Sequence, residues 1–158
     1  MPLQSQVSTS VAVGVPGAKA DSNIFDYYPQ SLTAETDVEA GTFVWLGSDP
    51  EKQAAYFTDT DADTIPGPIG FVERVIAYPN YDVLGDGTMT VNEGEVLTIA
   101  TQGAFFVVIQ NQASVGMPVY ADPATGLAFS GNPGSKVATG WKTITAGAAG
   151  ETIIIKRI

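Results

Sequence analysis

The punctuation of this chain constrains its fold more than any other feature. Seventeen glycines and ten prolines are scattered through 158 residues. The stretches between them are short and rich in Val, Ile, Thr, Phe and Tyr. Brief β-branched and aromatic runs bounded by turn residues are the pattern of many short strands joined by tight turns. No window sustains the 3.6-residue apolar period of an amphipathic helix over about ten positions. The chain therefore reads as all-β. One small exception is expected over Pro50–Tyr56, where Asp49 is placed to cap, and Pro50 to open, one or two helical turns.

The expected strands are Thr42–Leu46, Ile69–Ala77, Thr88–Val91, Glu95–Thr101, Ala104–Gln110, Pro118–Ala121, Leu127–Ser130, Lys136–Ile144 and Thr152–Arg157. Asn92-Glu93-Gly94 reads as a hairpin loop and Gln102-Gly103 as a turn, because Gly supplies the backbone freedom such turns need. Asp122-Pro123-Ala124-Thr125-Gly126 is a strong turn signal. Ala104–Gln110 is apolar at both alternating sets of positions, which predicts a central strand buried on both faces. Trp45 and Trp141 fall inside strand patterns, where packing is the natural use of an indole.

The opening of the chain differs. Residues 1–36 hold Pro2, Pro16 and Pro29 and several serines, show little strict alternation as a whole, and carry no charge before Lys19. They read as an extended N-terminal arm, followed by a single β-domain over residues 37–158. Arms of this kind gain order by lying on a partner, often as an added strand. The arm's apolar residues, Val7, Val11, Val13, Val15, Phe25, Tyr27 and Tyr28, are the candidate contact residues.

What the chain lacks narrows its chemistry. It has no cysteine and no histidine. That removes disulfides, thiolate nucleophiles, Cys- and His-ligated metal centres, and Ser-His and Cys-His catalytic pairs. Seventeen acidic residues against seven basic ones give a formal charge of −10, a field that repels nucleic acid and anionic membranes. Leu3–Ala18 is uncharged but too polar and too interrupted to span a bilayer, and it lacks the basic n-region of a secretory signal. Absent thiols fit assembly in a reducing cytoplasm.

Several clusters invite a site and fail on spacing. Asp59-Thr60-Asp61-Ala62-Asp63 offers alternate carboxylates, but the sixth position of an EF-hand loop counted from Asp59 is Thr64 and the twelfth is Gly70, where Gly and Glu are needed. Asp82 and Asp86 sit among glycines as turn residues. Gly131-Asn132-Pro133-Gly134-Ser135-Lys136 lacks phosphate-loop spacing. No catalytic residue, metal ligand or cofactor is assigned.

Four segments carry a family resemblance. They are Val13-Gly14-Val15-Pro16-Gly17-Ala18, Val38-Glu39-Ala40-Gly41-Thr42-Phe43-Val44, Gly116–Gly126 with its Met117-Pro118-Val119-Tyr120 entry, and Gly140-Trp141 followed by Glu151-Thr152-Ile153-Ile154-Ile155. In these the chain resembles the cement, or head-decoration, proteins of tailed bacteriophages. The resemblance implies a small β-barrel or jelly-roll-like sandwich without catalytic residues. It also implies a homotrimer on the outside of an icosahedral capsid, made in the host cytoplasm and clamping neighbouring major capsid subunits. Other readings of the residues remain open. They are a spike, fibre or tail component, a carbohydrate-binding β-sandwich using Trp45, Trp141 or tyrosines, and a carboxylate-only hydrolase.

Overall fold

The computed structural model describes residues 14–21, 24–59, 64–75, 89–131 and 133–158. Among them the chain forms thirteen strands and no helix. The longest strand, β9 (Ile99–Val108), is the spine. The last strand, β13 (Thr152–Arg157), runs antiparallel to it from Thr152 opposite Val108 to Arg157 opposite Gly103. Outward from β13 follow β12 (Val137–Thr143), β10 (Pro118–Ala121) and β11 (Ala128–Ser130). A bridge from Ala128 to Ile109 then brings β11 back to the end of β9, so this wall curls onto itself.

From the start of β9 the sheet continues the other way. It passes through β6 (Gly70–Val72), β4 (Phe43–Leu46), β5 (Gln53–Ala55) and β2 (Leu32–Ala34) to β8 (Val96–Leu97). β2 and β5 are parallel and the remaining pairs are antiparallel. β1 (Asp26–Tyr27) pairs with β9, while β3 (Val38–Glu39) and β7 (Thr90–Val91) form a separate ribbon. The result is the all-β architecture expected from the punctuation, arranged in the sandwich-like form that the resemblance implies.

Alternation along β4 and β6 explains how the sheet packs. Successive strand residues face opposite sides. Phe43, Trp45, Phe71, Phe105 and Val107 enter one hydrophobic cluster with Trp141, Ile153 and Ile155. Val44, Val72 and Ile99 enter a second cluster with Leu32, Val38, Val91 and Leu97. The strands β4 and β6 are thus a wall shared by two cores. Both tryptophans are buried as expected, and the Trp45 indole N–H donates to the Pro66 carbonyl at 2.7 Å. Each large side chain buried here contributes roughly 1.5–3 kcal/mol of transfer free energy.

Five local expectations change. Asp49 does cap a turn, its carboxylate accepting the Glu51 N–H and its carbonyl the Lys52 and Gln53 N–H groups. The chain then enters β5 rather than a helix, because Ala54 and Ala55 are drawn into the core. Asn92–Gly94 is a tight turn, but the strands beside it do not pair with each other: β7 joins β3 and β8 joins β2. Gln102-Gly103 lies inside β9 instead of ending it, and Gly103 leaves room for the Phe25 ring, which a Cβ would approach to 2.3 Å. The expected strand Ile69–Ala77 is Gly70–Val72, with Ala77 outside the described residues. β9 is central, yet only one of its faces is fully buried over its second half. Phe105 and Val107 are buried, whereas Phe106 and Val108 are half-buried on the outer side.

Asp122–Gly126 forms the predicted turn between β10 and β11. The Asp122 carboxylate accepts the Ala124 N–H at 2.9 Å and pairs with Lys136. Burial acts to raise its pKa, but the Lys136 ammonium and the Ala124 N–H outweigh that and hold it below the usual 3.8.

Candidate contact surface

The described part of the N-terminal segment is fastened to the spine. Val15-Pro16-Gly17-Ala18 turns, with the Ala18 N–H donating to the Val15 carbonyl. The chain then runs antiparallel to β9. Gly17 N–H donates to the Phe106 carbonyl, Phe106 N–H to the Ala18 carbonyl, and Ala20 N–H to the Ala104 carbonyl, at 2.8–2.9 Å. Phe105 is opposite Lys19 on this edge and opposite Ile155 on the other. At the junction two glycines pack backbone to backbone: a Cβ on Gly17 would come within 2.9 Å of the Gly41 nitrogen, and one on Gly41 within 2.9 Å of Pro16. Pro16-Gly17 and Glu39-Ala40-Gly41 therefore fit only without side chains there.

Lys19 gathers the next few residues. Its ammonium lies 3.2 Å from Glu73 Oε1 and over the rings of Phe25 and Tyr27, 4.7 and 5.6 Å from their centroids. Glu73 is buried, and its Oε2 has no hydrogen-bond partner. An isolated buried carboxylate is costly, so Lys19 is its compensating charge among the described residues. The hydrogen bond with Tyr27 is the main influence raising the Lys19 pKa above 10.5, with Glu73 adding to it against desolvation. Burial raises Tyr27 above 10.0. Both groups keep their neutral-pH forms to higher pH when folded. Their contribution is complete below the unfolded values and is lost as pH rises through the folded ones. The expected result of an alkaline titration followed by the NMR signals of Tyr27 and Phe25 is that this contact opens only above the ordinary tyrosine range. Release near neutrality would contradict the pairing.

The described candidate contact residues do not form one patch. Val7, Val11 and Val13 lie outside the described residues. Val15 is 48% exposed at the turn. Phe25 and Tyr27 pack against the first cluster and Tyr28 against the second, and the Tyr28 N–H donates to the Ile99 carbonyl. The tryptophans offered as sugar platforms are in the cores, so no glycan stacks on them. Of the acidic clusters, Asp61, Asp63, Asp82 and Asp86 lie outside the described residues. Among those that are described, no three acidic side chains converge on a common point where a metal ion could bind.

Two features were not anticipated from sequence. One is the Lys19–Glu73 pair, 54 residues apart in the chain, for which neither residue type nor spacing gives a signal. The other is a concentration of positive charge. Lys142 and Lys156 are direct partners across β12 and β13, and Arg157 follows. Like charges directly opposite are unfavourable in a strand pair. Asp21 lies 3.8 Å from Lys156, while Lys142 and Arg157 have no ion-pair partner among the described residues.

The described residues form a β-sandwich with two apolar cores and an N-terminal segment stitched to its spine. Residues 3–157 match the model of a family described as structural cement protein (E217 gp24/Pam3 gp6). The chain belongs to this phage cement protein family, and its role is structural, in the phage capsid. Its fold is similar to that of a chain in the capsid of Myoviridae phage XM1, at a TM-score of 0.66 and 17% identity, covering 99% of this chain and 97% of that one. It is also similar to the N base of head fiber gp8.5 in bacteriophage phi29, at a TM-score of 0.51 and 11% identity, over 85% and 95% of the two chains. No curated protein matches it by sequence.

Proposed function

We propose that this protein binds the outer surface of an icosahedral phage capsid and stabilises it by bridging neighbouring major capsid subunits, as a homotrimer. The family match over residues 3–157 carries this reading. The physics is compatible with it. A shell filled with DNA is pushed outward, and a protein that touches several subunits adds contacts that must all fail before the shell parts. Linked contacts gain from effective concentration, so each can be modest. An interface of roughly 1,200–2,000 Å² is sufficient for specific association. The formal charge of −10 suits a position outside the shell, away from the packaged DNA.

The N-terminal segment, with Val7, Val11, Val13 and Val15, supplies contacts beyond the globular body. Phe25, Tyr27 and Tyr28 fix the chain that follows to the body by packing on the two cores. Mixed with undecorated particles, the full chain is expected to bind saturably and raise their resistance to heat. A chain lacking residues 2–13 should bind less tightly while keeping its own melting temperature, because Gly17 and Ala20 still hold the spine. Purified protein that ignores its cognate shell would sink the reading.

A further inference from the structure

The chain has seven basic residues against seventeen acidic ones, and three of the seven sit together. Lys142 and Lys156 face each other across β12 and β13. The next pair along, Thr143 and Ile155, is buried, so both lysines stand on the outer side of the sheet. Arg157 follows and is exposed. Lys19, Lys52, Lys136 and Lys156 each lie beside a carboxylate. Lys142 and Arg157 have no such neighbour among the described residues, although acidic side chains are in excess. Placing Lys142 opposite Lys156 is unfavourable within the sheet, and no contact inside the chain offsets it.

The Arg157 guanidinium is held in a set place. Gly140 has φ at 80°, and a Cβ there would sit 3.5 Å from Arg157 Nε and Cζ. The guanidinium thus rests against the backbone of β12, close to Lys142. A guanidinium can take a carboxylate through two parallel N–H donors. Apolar side chains border these charges: Ile24, Ile144 and Ile158 are all exposed. Two adjoining hollows share Lys156, Arg157 and Ile158. One reaches Ile24 and Gln102, and the other reaches Gly140, Lys142 and Ile144.

Such a surface fits a protein segment that carries both carboxylates and apolar side chains. A phosphate backbone offers nothing to the three isoleucines, and a chain of formal charge −10 repels it. A second copy carries the same −10 and meets the same repulsion at a distance.

We propose that this corner of β12 and β13 docks on an acidic segment of the shell. Lys142 and Arg157 take its carboxylates, and Ile24, Ile144 and Ile158 take its apolar side chains. The proposal rests on the capsid-binding reading and adds to it the face that meets the shell. Charge then sets the orientation of docking, because complementary charges fix register and mismatched ones are rejected.

The test uses the full chain and undecorated capsids of the cognate phage. A Lys142→Gln, Arg157→Gln variant is expected to bind them at least about tenfold more weakly. Its affinity should also fall less steeply than that of the original chain between about 50 and 300 mM salt. Lys52→Gln, which removes an exposed lysine from a different strand connection, should bind as the original does. Because Lys142 faces Lys156, the double variant should melt no lower than the original. A lower melting temperature would make these cations structural and count against the proposal. Equal binding by the double variant, or equal weakening by Lys52→Gln, would overturn the docking face while leaving the capsid-binding reading intact. An original chain that does not bind the capsids would overturn both. A variant that keeps its capsid affinity but loses self-association would give the corner to a second copy and also overturn the proposal.

Discussion

Replacing Trp141 by alanine is expected to lower stability by roughly 3–5 kcal/mol, the range for truncating a fully buried large aromatic. Trp141 sits 5.8 Å from the rings of both Phe71 and Phe105 and 6.2 Å from Phe43, in edge-on and tilted arrangements. Among the buried residues of the cluster it is the one from β12, set beside those contributed by β4, β6 and β9. Removing it takes away transfer energy, several aromatic contacts of about 0.5–1.5 kcal/mol each, and the filling of a space that rigid neighbours cannot close. For a domain of this length the loss corresponds to roughly 6–20 °C in Tm, at about 2–4 °C per kcal/mol. Thermal unfolding followed by circular dichroism measures it. A shift under about 3 °C would mean that the cluster relaxes around the hole.

Gly126→Ala is expected to cost nearly as much, for a different reason. Gly126 closes the β10–β11 turn with φ at 69°, its N–H donating to the Asp122 carbonyl at 2.7 Å and its carbonyl accepting the Phe43 N–H at 2.9 Å. A Cβ there would meet the Phe43 carbonyl oxygen at 2.3 Å and the Tyr56 ring at 2.6 Å. The left-handed backbone costs an alanine about 1–2 kcal/mol, and the clash adds roughly 1–3 kcal/mol of overpacking. Gly116, with φ at 83° and no atom within 4 Å of its Cβ position, isolates the first contribution. Gly116→Ala should therefore destabilise by only about 1–2 kcal/mol. Equal losses at the two sites would show that the approach to β4 is unimportant.

The elements that sequence made legible are those whose residues report their own environment. β13 is legible to its ends, because Thr152–Arg157 opens with a β-branched run and is bounded by Gly150 on one side. The turn at Asp122–Gly126 and the burial of both tryptophans follow equally from local chemistry. Pairing is a different matter. Asn92-Glu93-Gly94 has every local sign of a hairpin, but Val91 and Leu97 are both pulled into the second cluster by β3 and β2. Those partners lie more than fifty residues upstream. Gly103 marked a break in the sequence pattern because nothing local reveals that the Phe25 ring occupies the space of its side chain. β1 and β2 are two and three residues long, too short to show a period. The contact surface was legible in part. The uncharged opening of the chain is plain, but Lys19 meeting Glu73 depends on folding alone.

Tension transmitted through the N-terminal segment enters the body at Gly14, beside Phe106 near the end of its longest strand. The bonds of Gly17 and Ala20 with Phe106 and Ala104 share such a load only when the tug runs parallel to β9. A tug perpendicular to the sheet strips them one after another. The same attachment is thus strong or weak by the direction of the pull.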